Sequence, residues 1–190
     1  FDYDFSVNYN GTTEKVDVYI YDVTNASLIT PFSTTVPSGK GRFATTFTSS
    51  ATGTTYRVCY HLSATGTAAW TQRVDNVRCL RGAEIISEAG GFQVIAAANG
   101  IIFSNGSISQ YDGEVNPILN GHFEVSTTGW STYADAASPI PVNGTGGIPT
   151  VTFGLTTTNP LLGGKSGLLT KDAANRQGEG VSYDFTVPRD

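Results

Sequence analysis

NPILNGHFEVSTTGW, residues 116–130, is the stretch whose reading decides the fold. Pro117 has no N–H to give to a ladder, so it suits an edge or the first residue of a strand. Asn120-Gly121 is a turn dipeptide. Phe123 and Val125 then fall on one face of an extended segment, with Glu124 on the other. Gly129 breaks the run, and Trp130 opens the next strand. The stretch predicts the opening of a β-sandwich.

Downstream, a loop rich in Pro, Gly and Ala runs from Ala134 to Gly147. Val151, Phe153 and Leu155 alternate as a strand, Lys165–Leu169 is a short one, and Val181, Tyr183, Phe185 and Val187 form another. Upstream, Phe1, Tyr3, Phe5 and Val7 share a face, and Asn10-Gly11 turns the chain. Val16, Val18 and Ile20 alternate with Asp17, Tyr19 and Tyr21. Asp22–Ser27 reads as a loop, and Phe43–Phe47 as a shorter strand. Tyr56, Val58, Tyr60 and Leu62 form an inward face, and Trp70–Leu80 is the last strand of this part. Strands at this spacing with no helical period predict an all-β sandwich rather than βαβ units. Trp70 and Trp130 are expected in the core, as large aromatics usually are.

The 190 residues are 39% hydrophobic and only 14% charged, with 22 Gly. That balance suits strands joined by Gly-rich turns. A net charge of −5 argues against a nucleic-acid footprint. No run approaches the roughly 18 apolar residues of a membrane-spanning helix. Cys59 and Cys79 set no disulfide framework and read as reduced, buried thiols. The four sequons, at Asn10, Asn25, Asn105 and Asn143, are expected by chance in so Asn-, Ser- and Thr-rich a chain. The chain has no Met and starts at Phe1, which reads as a piece of a longer parent.

Residues 81–115 differ from their flanks. No charge occurs between Ala89 and Tyr111, and Phe92, Ile95, Ile101, Ile102 and Phe103 make the segment apolar. A short β segment of this kind cannot bury its own side chains. It reads either as a linker packed on its own domain or as a β junction at a contact between chains or domains.

Several of these stretches resemble the jelly-roll carbohydrate-binding modules of the family 4/9 type. Asn120, Phe123, Glu124, Gly129 and Trp130 match the opening Asn-x-x-Phe-Glu…Gly-Trp element. Gly164-Lys165 and Gln177-Gly178-Glu179-Gly180 resemble mid-domain steps, and Val74–Val77 the closing hydrophobic-Asp-Asn-Val. Gln72 departs from the apolar residue expected inward on that closing strand. The resemblance implies a jelly-roll β-sandwich whose halves stand in reversed order. Residues 1–80 resemble the C-terminal half of a module, 81–115 a β-rich junction, and 116–190 the N-terminal half. Two arrangements stay open: a circularly permuted single domain, with Phe1–Val7 pairing Val181–Val187, or two half-modules cut from an array.

Such modules occur in glycoside hydrolases and in phage tail and virion proteins. The resemblance therefore implies a virion structural protein, a tail-fibre or tail-spike segment, with other copies of itself (a trimer), other virion subunits or host surface polysaccharide as partners. The alternative is an accessory carbohydrate-binding module of a secreted glycoside hydrolase. By position, Glu124 and Asp75 match carboxylates that hold a structural calcium in such modules, no other cofactor being implied. Hard Ca²⁺ takes several oxygens; otherwise the two carboxylates cap loops or accept backbone N–H groups.

Sugar rings are met by aromatic faces with polar neighbours. Tyr19 and Tyr21 point away from Val18 and Ile20 and are expected to be exposed, and Tyr133 lies in a loop region; these three are the glycan candidates. Nothing reads as catalytic. Neither GxSxG, HExxH, P-loop nor GxGxxG in a βαβ setting occurs, and no placed carboxylate pair suits glycoside hydrolysis.

Overall fold

The computed structural model describes residues 1–29, 34–63, 65–79, 84–89, 92–97, 100–102, 116–135 and 147–187. The strands are β1 (Asp2–Phe5), β2 (Val16–Asp22), β3 (Ser27–Leu28), β4 (Thr34–Thr35), β5 (Lys40–Arg42), β6 (Thr55–Leu62), β7 (Trp70–Asp75), β8 (Glu84–Ala89), β9 (Phe92–Ala97), β10 (Gly100–Ile102), β11 (Trp130–Ala134), β12 (Thr152–Thr156), β13 (Ser166–Lys171) and β14 (Glu179–Thr186). No helix occurs among the described residues. The chain divides into two units, Phe1–Val77 with Ile118–Asp190, and Arg78–Pro117.

The first unit is a β-sandwich of two antiparallel sheets. One has the order β12-β13-β7-β1-β5; the other runs β11-β14-β6-β2-β3, with β4 also on β2. Both sheets mix strands from the two ends of the chain. β13 pairs β7 with Leu169 opposite Gln72, and β14 pairs β6 with Tyr183 opposite Val58. The second unit is an antiparallel meander, β10-β9-β8, with Ile85, Ile95 and Ile102 in one row of the ladder. The contact expected through residues 89–111 concerns side chains outside the described residues.

Alternation predicts the interior well. Tyr56, Val58, Tyr60 and Leu62 face in, as do Val181, Tyr183 and Phe185. Aromatic rings fill the space between the sheets. Trp130 packs 5.3 Å from Phe123, 5.2 Å from Tyr183 and 5.9 Å from Tyr60, while Phe5, Tyr9 and Trp70 cluster elsewhere in the core. The tilted and edge-to-face pairs among them add to simple area burial.

Four expectations are corrected. Phe1–Val7 does not pair Val181–Val187: β1 lies between β5 and β7, and β14 between β6 and β11, so each already has both neighbours. Val7 is 98% exposed, because β1 ends at Phe5 and the turn that follows brings Tyr9 onto Phe5 instead. Phe43–Phe47 is not a strand; the pairing lies just before it, at Lys40–Arg42. Residues 116–129 hold no strand either. Asn120 and Phe123 both take positive φ, so the chain turns twice. Phe123 is thereby driven into the core while Val125 is left 82% exposed.

Gln72 faces inward and is fully buried, and neither atom of its side-chain amide has a hydrogen-bond partner. A buried polar group left unbonded costs about 1–3 kcal/mol. Gln72→Met fills a similar volume without that cost. Thermal unfolding of Gln72→Met should show a variant more stable than the parent; a less stable one would mean that the amide is bonded after all.

Candidate functional site

The six-stranded sheet has a core face and an outer face, and the outer face gathers the polar chemistry. Register across the strands fixes who stands beside whom. Tyr133 on β11 lies opposite Gly180, and Ser131 opposite Ser182. On β6, His61, Cys59 and Arg57 face Gly180, Ser182 and Asp184 of β14. On the other side they face Asp17, Tyr19 and Tyr21 of β2. Period-two alternation puts all of these on the face opposite Tyr56, Val58, Tyr60 and Leu62.

All three glycan candidates, Tyr19, Tyr21 and Tyr133, therefore meet on one face of one sheet. Their exposure is another matter. Tyr19 is 3% and Tyr21 9% exposed, and Tyr133 is half-buried. Exposure expected from alternation fails here because the side chains lie against one another. The Tyr133 ring stacks on His61, its hydroxyl 3.1 Å from Nδ1, and Tyr19 meets the same imidazole edge-on. Gly180 makes room for this: a Cβ there would come within 2.7 Å of the Tyr133 hydroxyl.

Arg57 and Asp184 close one end of the face as a two-pronged ion pair, with Nη2 2.9 Å from Oδ2. Their side chains keep 25% and 43% exposure. Planar guanidinium–carboxylate pairs of this kind are geometrically specific. At the other end Asp17 accepts from the Thr35 hydroxyl at 2.6 Å and pairs with Lys15. Burial pushes the Cys59 thiol, and the Tyr19 and Tyr133 hydroxyls, well above their ordinary values. These groups are neutral at physiological pH, so the face offers hydroxyls and rings rather than a thiolate nucleophile. Sequence reasoning passed over Arg57, Cys59 and His61. Their signal was the polar half of the same alternation that marked Tyr56–Leu62 as core.

The carboxylates named as calcium candidates also come to one place, the loop at residues 161–166. Asp75 is 1% exposed. Its oxygens accept from Asn76 N–H at 2.6 Å, Leu162 N–H at 3.1 Å and the Ser166 hydroxyl at 3.2 Å. Exposed Glu124 accepts from Gly164 N–H at 3.0 Å and from Lys165 N–H at 3.4 Å. Gly163 is held at φ +63°, where a Cβ would sit 1.9 Å from a Glu124 oxygen. Both carboxylates are thus engaged by backbone N–H or hydroxyl donors, and no group of three His, Cys, Asp or Glu that could hold a metal ion occurs among the described residues. What the two residues form is a clamp on the loop.

Burial raises the Asp75 carboxyl above its ordinary value near 3.8. The Asn76, Leu162 and Ser166 donors pull it down, and the negative charge of Glu124 pushes it up again. Since the folded value lies above the unfolded one, stability from this group is complete below about 3.8 and is lost as pH rises through the folded value. Glu124→Gln should move the Asp75 titration, followed by carboxyl NMR, to lower pH. An unmoved titration would show that the two charges do not interact.

In comparisons with known proteins, no family model, no curated protein and no solved structure matches the chain.

Proposed function

We propose that this chain is a non-catalytic structural protein of a virion, a segment of a phage tail fibre or tail spike, whose sandwich presents a surface to neighbouring subunits or to host glycans. The observation that supports it most is the outer face of the six-stranded sheet, where Tyr19, Tyr21 and Tyr133 stand with the Arg57–Asp184 pair. Aromatic rings beside charged and hydroxyl groups are what recognition of a sugar or of a polar protein surface needs. The accessible end, Arg57 with Asp184, is where contact would begin.

Two measurements on the purified chain test the reading. Native mass should exceed that of the monomer, and reducing-end assays on a panel of bacterial polysaccharides should show no turnover. Polysaccharide cleavage that disappears in Glu124→Gln or Asp75→Asn would overturn the non-catalytic reading. A monomer that binds polysaccharide, and loses it in Arg57→Ala, would point instead to an accessory carbohydrate-binding module of a secreted glycoside hydrolase.

A further inference from the structure

The sheet edges of the sandwich are not protected alike. An open edge presents unpaired N–H and C=O groups, and proteins blunt such edges with charge, shortness, proline or bulges. In the five-stranded sheet one edge is β5, three residues long with Lys40 and Arg42 on it. In the other sheet one edge is β3, two residues long, and the other is β11, uncharged like β12 but with no glycine and no self-complementary sequence. At the opposite edge of the five-stranded sheet stands β12, Thr152-Phe153-Gly154-Leu155-Thr156, five residues with no charge, no proline and no bulge. It pairs only β13 among the described strands.

Two features of β12 have no explanation within its own chain. Gly154 sits mid-strand, where glycine weakens a strand by about 0.5–1 kcal/mol relative to alanine. Its φ is not positive, and a Cβ built there meets no atom within 4 Å. The fold of the chain does not need this glycine; glycine within a strand often marks close approach of another backbone. Leu155 lies opposite Gly167, on the face that Phe153 also takes, yet stays 37% exposed at the edge. The strand is moreover self-complementary. Paired antiparallel with itself about Gly154, it sets Thr152 against Thr156, Phe153 against Leu155, and Gly154 against Gly154.

We propose that β12 is a homotypic docking edge: β12 of a second copy adds antiparallel to it, with a two-fold axis at Gly154, and the two five-stranded sheets become one. The occupant is another copy of this chain rather than a charged partner, because the edge carries no charge to match one and its residues complement themselves. Phe153 of each copy covers the exposed Leu155 of the other, and the paired glycines let the backbones close. Isologous contacts of this kind are the commonest in homo-oligomers. The contact does not depend on the virion reading, and either can fail alone.

Sedimentation equilibrium of the full chain, up to millimolar concentration, tests this with two double variants. In the proposed register residue 152 of one copy faces residue 156 of the other. Thr152→Lys/Thr156→Lys sets like charges opposite twice and should weaken self-association by roughly tenfold or more. Thr152→Lys/Thr156→Glu sets opposite charges in the same places and should restore it. Both variants lose the same hydrogen bond from Thr158 N–H to the Thr156 hydroxyl, so their difference isolates the contact, and equal melting temperatures show both folded. A chain that stays monomeric throughout overturns the proposal. So does an assembly of any size whose mass is the same in both variants.

Discussion

Lys171→Met should destabilise the sandwich by about 3–5 kcal/mol, the loss typical of breaking a buried ion pair from one side. Lys171 projects from β13 into the interior and is 1% exposed; Glu14 is 2% exposed. The ammonium lies 3.2 Å from Glu14 Oε2 and donates to the Ala68 carbonyl at 2.8 Å and the Asp172 carbonyl at 3.2 Å. The carboxylate accepts from Ala68 N–H at 2.7 Å and from the Trp70 indole at 2.8 Å. Every charge is thus answered, and the local sequence arranges it. Asn10 accepts from Thr12 and Glu14 N–H groups and fixes the loop, and Gly66 leaves room for the carboxylate, 2.1 Å from where its Cβ would be.

Without the lysine, Glu14 stays buried with no counter-charge. For a chain of this size the loss corresponds to a fall in Tm of roughly 10 °C, and salt should change it little because the pair is not in contact with solvent. Glu14→Gln/Lys171→Met, which removes both charges, should lose less than Lys171→Met alone, since coupled sites do not add. A strictly additive double variant, or a loss in Lys171→Met under about 1 kcal/mol, would show that the pair contributes nothing as a pair.

How much of this could be read in the sequence depends on whether the side chain followed the strand period. Val16–Ile20, Tyr56–Leu62 and Val181–Phe185 follow it, and their faces were legible. Glu14 and Lys171 do not: a carboxylate and an ammonium read as solvent-facing, and nothing in the sequence says that residues so far apart meet inside. The Asn116–Trp130 stretch reads as strand because Phe123 and Val125 are two apart, yet positive φ at Asn120 and Phe123 breaks the alternation. That choice rests on tertiary contacts, Val77 N–H with the Gly121 carbonyl and Glu124 with Gly164, which local propensity does not contain. On the outer face, alternation placed Tyr19 and Tyr21 on the correct side of β2. The burial of Tyr19 came with His61 and Tyr133 on other strands, which only the sheet order brings near.

Cutting the chain gives the largest expected effect. Fragments 1–79 and 116–190, made separately, should each fail to fold, and mixed they should rebuild the sandwich. In the first fragment β6 loses β14 along seven residue pairs and keeps only β2. β7 loses β13, so a former sheet centre becomes an edge. Tyr60 loses Trp130, and Glu14 loses Lys171. The second fragment keeps two hairpins, β11 with β14 and β12 with β13, and no strand joins them into a sheet. Isolated hairpins are marginal in water, and chains of this length bury too little surface to tolerate such gaps. In the mixture all of these pairings return, and each fragment stabilises the other by mass action. Amide NMR spectra decide it: narrow dispersion for each fragment and wide dispersion for an equimolar mixture. Wide dispersion from residues 1–79 alone would mean that this part closes by itself, and the shared sandwich would be wrong. Excising 80–115 from the intact chain and joining the ends with a short Gly/Ser link should, by contrast, leave the sandwich folded. The Val77 amide already donates to the Gly121 carbonyl at 2.9 Å, so the two ends to be joined lie side by side.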